Sequence, residues 1–117
     1  MKRRCDMVVT SKVEIELTLP VRRVIYSKTG DTTRYMECSL FNNGVEWEIP
    51  GGLSATVYAE DGGGQHYTST ATVDGNIITC LLPSFANGGT AEVEVELSSG
   101  GNVVTSFDVY CEVYQSA

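Results

Sequence analysis

Seven consecutive residues, Ala91-Glu92-Val93-Glu94-Val95-Glu96-Leu97, alternate between apolar and acidic without a break. Side chains of a strand point to opposite faces in turn, so this run builds a strand with one dry face and one wet face. The period of two recurs along the chain, in Met36, Cys38 and Leu40, in Leu53, Ala55, Val57 and Ala59, and in Ile78, Cys80 and Leu82. It appears again in Val13, Ile15, Leu17 and Leu19, and in Phe107, Val109, Cys111 and Val113. These residues form the expected core. No segment of useful length carries the 3.6-residue period of an amphipathic helix.

Turn chemistry divides the runs. Asn42-Asn43-Gly44 follows the strand that starts at Arg34, and Val45-Glu46-Trp47-Glu48-Ile49 returns with apolar residues at every second place. We read Asp31–Ile49 as a central hairpin, because Asn-Gly tolerates the positive φ that a tight reversal needs. Asp61-Gly62-Gly63-Gly64 and Asp74-Gly75-Asn76 are further hairpin turns, Ser98–Asn102 turns the chain once more, and Pro83–Gly89 reads as a connection crossing between sheets. Arg22–Ser27 is a short β-rich run after Pro20. About eight strands joined this way predict an all-β fold, an immunoglobulin-like antiparallel β-sandwich. It is not an antibody relative: Trp47 lies on the wrong strand, and Val109 stands where a tyrosine two residues before the second cysteine belongs. At 117 residues the chain makes one domain, drawn here as a basic N-terminal arm over 1–12 and a single β-sandwich over 13–117.

Charge is unevenly spread. The first 34 positions hold all eight Lys and Arg with four acids, a balance of +4, and the remainder holds eleven acids and no Lys or Arg, a balance of −11. An acidic body repels phosphates, which argues against nucleic acid as a partner. The basic segment Met1–Arg23 suits an acidic surface, its own or that of a neighbouring subunit, with a solvated arm as the alternative. Lys2-Arg3-Arg4 resembles the start of a signal peptide, but Asp6, Lys12, Glu14 and Glu16 interrupt any apolar stretch behind it. No run approaches the roughly 20 apolar residues that span a bilayer as a helix. The expectation is a product kept on the cytosolic side, with no membrane partner.

Catalytic chemistry is not legible. His66 is the sole histidine and sits beside a glycine turn, so it reads as an exposed loop residue. Asp61-Gly62-Gly63-Gly64 lacks the strand-to-helix context of a phosphate loop. Asp74 and Asn76 are too few to hold calcium, and Cys5, Cys38, Cys80 and Cys111 show no zinc spacing. Reduced thiols are expected, with a Cys38–Cys111 bridge as the alternative. No catalytic residue, metal or cofactor is assigned, and the chain reads as no enzyme. The acidic row Glu92, Glu94 and Glu96 is either a solvated face that discourages edge pairing or a docking strip.

The turn-and-strand pattern also carries a resemblance. Asp31-Thr32-Thr33, Leu40-Phe41, Asn43-Gly44-Val45 and Ile49-Pro50 are followed by Ala55-Thr56-Val57-Tyr58, Asp61-Gly62-Gly63 and Asp74-Gly75-Asn76-Ile77. Gly89 before a strand and Thr105-Ser106-Phe107-Asp108-Val109 complete it. Over roughly Val13–Val113 the chain resembles the N-terminal domain of baseplate upper proteins from tailed phages and prophages of Gram-positive bacteria. That resemblance implies a virion structural protein of the tail tip, made in the host cytoplasm and touching other baseplate proteins, and the split between the +4 and −11 segments adds the expectation of a homo-oligomer. The interface candidates are Arg3, Arg4, Arg22, Arg23, Trp47, Tyr58, Tyr67, Glu92, Glu94 and Glu96. The competing reading is a small ligand- or carbohydrate-binding β-sandwich that stacks its ligand on Trp47, Tyr58 and Tyr67.

Overall fold

A computed structural model describes residues 8–19 and 21–116. Among them nine strands form in chain order: β1 (Val9–Glu16), β2 (Val24–Lys28), β3 (Arg34–Asn42), β4 (Val45–Glu46), β5 (Ser54–Glu60), β6 (His66–Asp74), β7 (Ile77–Leu81), β8 (Gly89–Ser99) and β9 (Asn102–Tyr114). Neighbours run β1-β3-β7-β6-β5-β8-β9-β2, with β4 attached to the side of β3. The all-β character is as expected. The arrangement is one sheet curled almost into a barrel, where two facing sheets of a sandwich were expected.

The continuity comes from β6. Its first part, His66–Ala71, pairs with β5, and its last part, Thr72–Asp74, pairs with β7. One strand thus carries the hydrogen-bonded ladder round the bend, so the two halves of the sheet never separate. The expectation of antiparallel pairing fails at both margins. β1 lies parallel to β3, and β2 lies parallel to β9. Parallel neighbours cannot be joined by a tight hairpin, and here each marginal strand is separated in sequence from its partner. The β1–β2 connection runs from one end of the sheet to the other and leaves a seam between them.

The Asp31–Ile49 hairpin is not central. β3 is second from one margin, while β6 and β5 hold the middle. Its return strand is only two residues long. The Trp47 N–H donates to the Leu40 carbonyl (2.9 Å), and the Ile49 N–H donates instead to Gly75 (3.0 Å). The chain therefore leaves β3 and crosses to the β6–β7 turn. Val45 is left outside, Trp47 packs half-buried against the core and Ile49 is buried in it.

Most of the inward rows pack as read. Met36, Cys38, Leu40, Val57, Ile78, Cys80, Val93, Val95, Val109 and Cys111 are buried. Four expected core residues differ. Leu19 is 59% exposed, because β1 stops at Glu16 and the chain turns through Leu19 N–H to the Glu16 carbonyl (3.3 Å). Leu53 packs only partly against the core just before β5, and Leu17 and Phe107 do so at the seam. Cys38, Cys80 and Cys111 are free, buried thiols, and Cys5 lies outside the described residues. The arm drawn over 1–12 overlaps β1, which begins at Val9; residues 1–7 lie outside the described residues.

The Pro83–Gly89 connection contributes the largest fully buried side chain among the described residues, Phe85, set edge-to-face on Tyr67 with ring centroids 5.4 Å apart. Beside it is a buried carboxylate, Asp61. It accepts from the N–H groups of Gly63 (2.9 Å) and Gln65 (3.0 Å), the Tyr67 hydroxyl (2.7 Å) and the Asn87 amide (3.2 Å). The Tyr67 hydroxyl in turn accepts from the Ala86 N–H (2.9 Å). This network ties the β5–β6 turn to the Phe85 loop, and a Cβ at Gly62 or Gly63 would lie 2.5 Å from Gly88 O or the Asn87 amide. At Gly62 the neighbour is backbone, so close approach requires glycine; at Gly63 the Asn87 side chain would have to shift.

Candidate interaction surface

The two marginal strands do not pair with each other; arginines bridge them. Arg23, just before β2, donates its Nε–H to the Glu14 carbonyl on β1. Arg34, at the start of β3, donates to the Tyr26 carbonyl on β2 (3.2 Å) and is held by Asp31 (2.7 Å). A guanidinium supplies charge-assisted donors to carbonyls that a ladder would otherwise use. Above Val24, which aligns with Tyr110, β9 continues without β2 beside it. There the seam opens into a cleft of about 520 Å³ between the end of β1, residues 17–19 and 21–23, and Ser106–Asp108 and Tyr110 of β9.

Strand geometry shows what that cleft presents. The Tyr110 N–H donates to the Arg23 carbonyl (2.8 Å), so Tyr110 directs its backbone groups toward the β2 side. Residues two apart on a strand direct theirs the same way, so Ser106 and Asp108 aim N–H and C=O into the cleft. Phe107 and Val109 aim theirs at β8. An open edge of this kind is a template for another strand.

The β3–β4 turn beside the cleft is fixed by Glu16. Asn43 and Gly44 both have positive φ, 54° and 79°. Their N–H groups converge on the Glu16 carboxylate at 2.9 and 2.7 Å, and Thr18 adds its hydroxyl at 2.7 Å and its N–H at 3.2 Å. The Thr18 hydroxyl and then the Gly44 N–H hold Glu16 well below the usual carboxylate range, at about 2.

Next to the cleft the outer face of the sheet is acidic. Glu92, Glu94 and Glu96 lie on it as read, and the register extends the strip sideways. Glu60 stands directly opposite Glu92, and Asp108 directly opposite Glu94. The Glu94–Asp108 pair lies between ladder bonds, the geometry that brings opposed side chains closer. Like charges placed so are destabilising. Tyr58 and His66 rim a shallow hollow of about 300 Å³ among these acids. Arg22 caps the edge of the face, with its guanidinium carbon 4.1 Å from the centre of the Tyr110 ring, a cation–π contact.

The interface candidates therefore separate. Arg22 and Arg23 join the cleft, and Tyr58, Tyr67, Glu92 and Glu94 line the hollow, with Asp108 belonging to both. Glu96 continues the strip opposite Ser106. Trp47 packs partly on the core after β4. Tyr67 is opposite the inward Ala59, one position from the Tyr58–Thr68 pair, so its ring and that of Tyr58 leave opposite faces. The aromatic platform of the carbohydrate reading is not assembled. Arg3 and Arg4 lie outside the described residues. Sequence reasoning put Glu60 on an outer face but joined neither it nor Asp108 to the strip, because the register that sets them opposite Glu92 and Glu94 is not written in any one strand.

Burial raises the thiols, Cys80 to about 11 and Cys111 to about 12, so neither is a ready nucleophile. Among the described residues no group of three His, Cys, Asp or Glu is placed to hold a metal ion, and no helix is long and apolar enough to cross a membrane.

Among solved structures, the N-terminal domain of phage TP901-1 ORF48 superposes with a TM-score of 0.66 at 10% sequence identity. The match covers 92% of this chain and 99% of that one. The two share a fold. No family model and no curated protein matches the sequence.

Proposed function

We propose that this chain is a structural module of a phage or prophage tail baseplate, which works by contacts with other subunits and not by catalysis. The observation that carries the reading is the end-to-end superposition on a phage domain. The turn pattern of the sequence, read independently, points to the same kind of protein. Asn43-Gly44 adopts the positive-φ reversal and Asp61-Gly62-Gly63 the donor-filled turn that such a pattern needs. Opposed like charges kept on an otherwise well-packed sheet favour a surface built to meet a partner. The module is made in the bacterial cytoplasm and carried in the virion at the tail tip, as a homo-oligomer in contact with other baseplate proteins.

The test is deletion of its coding sequence from the source phage or prophage, followed by electron microscopy of the tails. The expected result is tails whose tip lacks density, restored by the gene in trans. Tails of normal composition and appearance would overturn the proposal.

A further inference from the structure

We propose that the seam cleft takes residues 1–7 of a second copy of this chain as an added strand on the open edge of β9. The inference rests on the assembly reading above and names the segment and the surface. Its first support is the backbone: Ser106 and Asp108 aim their N–H and C=O groups into the cleft, and an extended segment is the partner that satisfies both kinds at strand spacing. Its second support is the pattern of the segment, Met1-Lys2-Arg3-Arg4-Cys5-Asp6-Met7.

Laid as a strand, this segment puts Lys2, Arg4 and Asp6 on one face and Met1, Arg3, Cys5 and Met7 on the other. The outer face of β9 carries Asp108, with Glu94 opposite it and Glu96 one step along. Lys2 and Arg4 beside these acids would relieve a repulsion that the isolated domain carries. Met1, Cys5 and Met7 would then meet the floor of the cleft, made by Ile15, Leu17 and Phe107. Arg3 is the exception on that side, and its long stem can carry the charge to the rim. A second copy is favoured over the same chain by direction. Residues 1–7 join β1 at the Val9–Arg34 end, whereas the cleft lies beside Ile15–Leu19 at the other. Reaching its own cleft, the segment would have to reverse and run back along β1.

The experiment is sedimentation velocity of the full chain over a range of concentrations and salt, with two variants. Ser106→Pro removes an N–H that points into the cleft and none that serves the β8–β9 ladder. Lys2→Glu with Arg4→Glu reverses the arm and leaves the described domain untouched. The wild type is expected to associate more tightly at low salt, and each variant to associate at least about tenfold more weakly with unchanged melting temperature. Should Ser106→Pro misfold, the arm variant still decides. Leu19→Cys under mild oxidation is expected to trap a dimer through Cys5 of the other copy. A wild type that is monomeric throughout, an arm variant that associates as well as wild type, or a Leu19→Cys bridge formed within one chain would overturn the inference. A monomeric chain that still restores tail tips in the deletion strain would overturn this inference alone and leave the structural role standing.

Discussion

Two groups of carboxylates sit at opposite extremes of satisfaction. Asp61 is buried and loaded with donors from the β5–β6 turn, Tyr67 and Asn87. Glu60, Glu92, Glu94 and Asp108 stand on the outer face in opposed like-charged pairs. The first arrangement locks two loops and a buried aromatic into one end of the sheet. The second gives up a little stability to concentrate negative charge beside an open strand edge. The comparison separates the residues that hold the fold from those free to meet a partner, and each can be tested against the other.

The largest expected effect lies at the locked end. Phe85→Ala should lose about 3–5 kcal/mol in urea or guanidinium denaturation, because it empties a fully buried ring site that its loop cannot collapse to fill. Asp61→Ala comes next. It strands Tyr67 and two turn N–H groups, and the melting temperature should fall by about 10 °C. An unchanged melting temperature in Asp61→Ala would mean that the network is decoration.

The same carboxylate gives a pH signature. Burial would raise Asp61, but the Tyr67 hydroxyl and the Gln65, Asn87 and Gly63 donors outweigh it and hold it at about 2, below its ordinary 3.8. A folded-state value below the unfolded one adds stability that is present above the unfolded value and lost as pH falls through the folded one. The contribution should be whole above about pH 4 and fade toward pH 2, with Glu16 adding in the same direction. Asp61→Asn should flatten this part of the stability–pH curve. An equally steep curve in that variant would assign the acid sensitivity elsewhere.

On the acidic face the sign reverses. Glu94→Gln or Asp108→Asn should stabilise the isolated domain by about 0.2–1 kcal/mol, most at low salt, because each removes a directly opposed like charge. A loss of stability would show that the strip supports the fold. The smallest effect is expected at Ser27. Its hydroxyl is buried on β2 and is without a hydrogen-bond partner among the described residues, so Ser27→Ala should be neutral or stabilising by up to about 1 kcal/mol.

The faces of β3, β5, β7, β8 and β9 were legible because each follows from its own few residues. Met36, Cys38 and Leu40, or Val93 and Val95, need no distant information to declare which side is dry. The margins were not legible. That β1 lies parallel to β3 and β2 parallel to β9 depends on pairings across the fold, and a run such as Arg22–Ser27 contains nothing that selects its neighbour. Phe85 was hidden in a Pro/Gly connection with no periodicity to place it. Asp61 read as ordinary turn chemistry because its partners Tyr67 and Asn87 lie 6 and 26 residues away. The acidic strip was read from one strand, while the pairs that make it costly come from β5 and β9. Leu19 was assigned to the core by alternation carried past Glu16, where the chain had already turned.

The central claim is that β9 keeps an open edge in the isolated domain and closes it on assembly, and amide hydrogen exchange resolved to single residues reads this directly. In dilute protein at high salt, the Ser106 and Asp108 amides should exchange fast while Phe107 and Val109 between and beside them stay protected. In concentrated protein at low salt, Ser106 and Asp108 should become protected too. Equal protection of all four residues in the dilute sample, or fast exchange at Ser106 and Asp108 in both samples, would contradict the account.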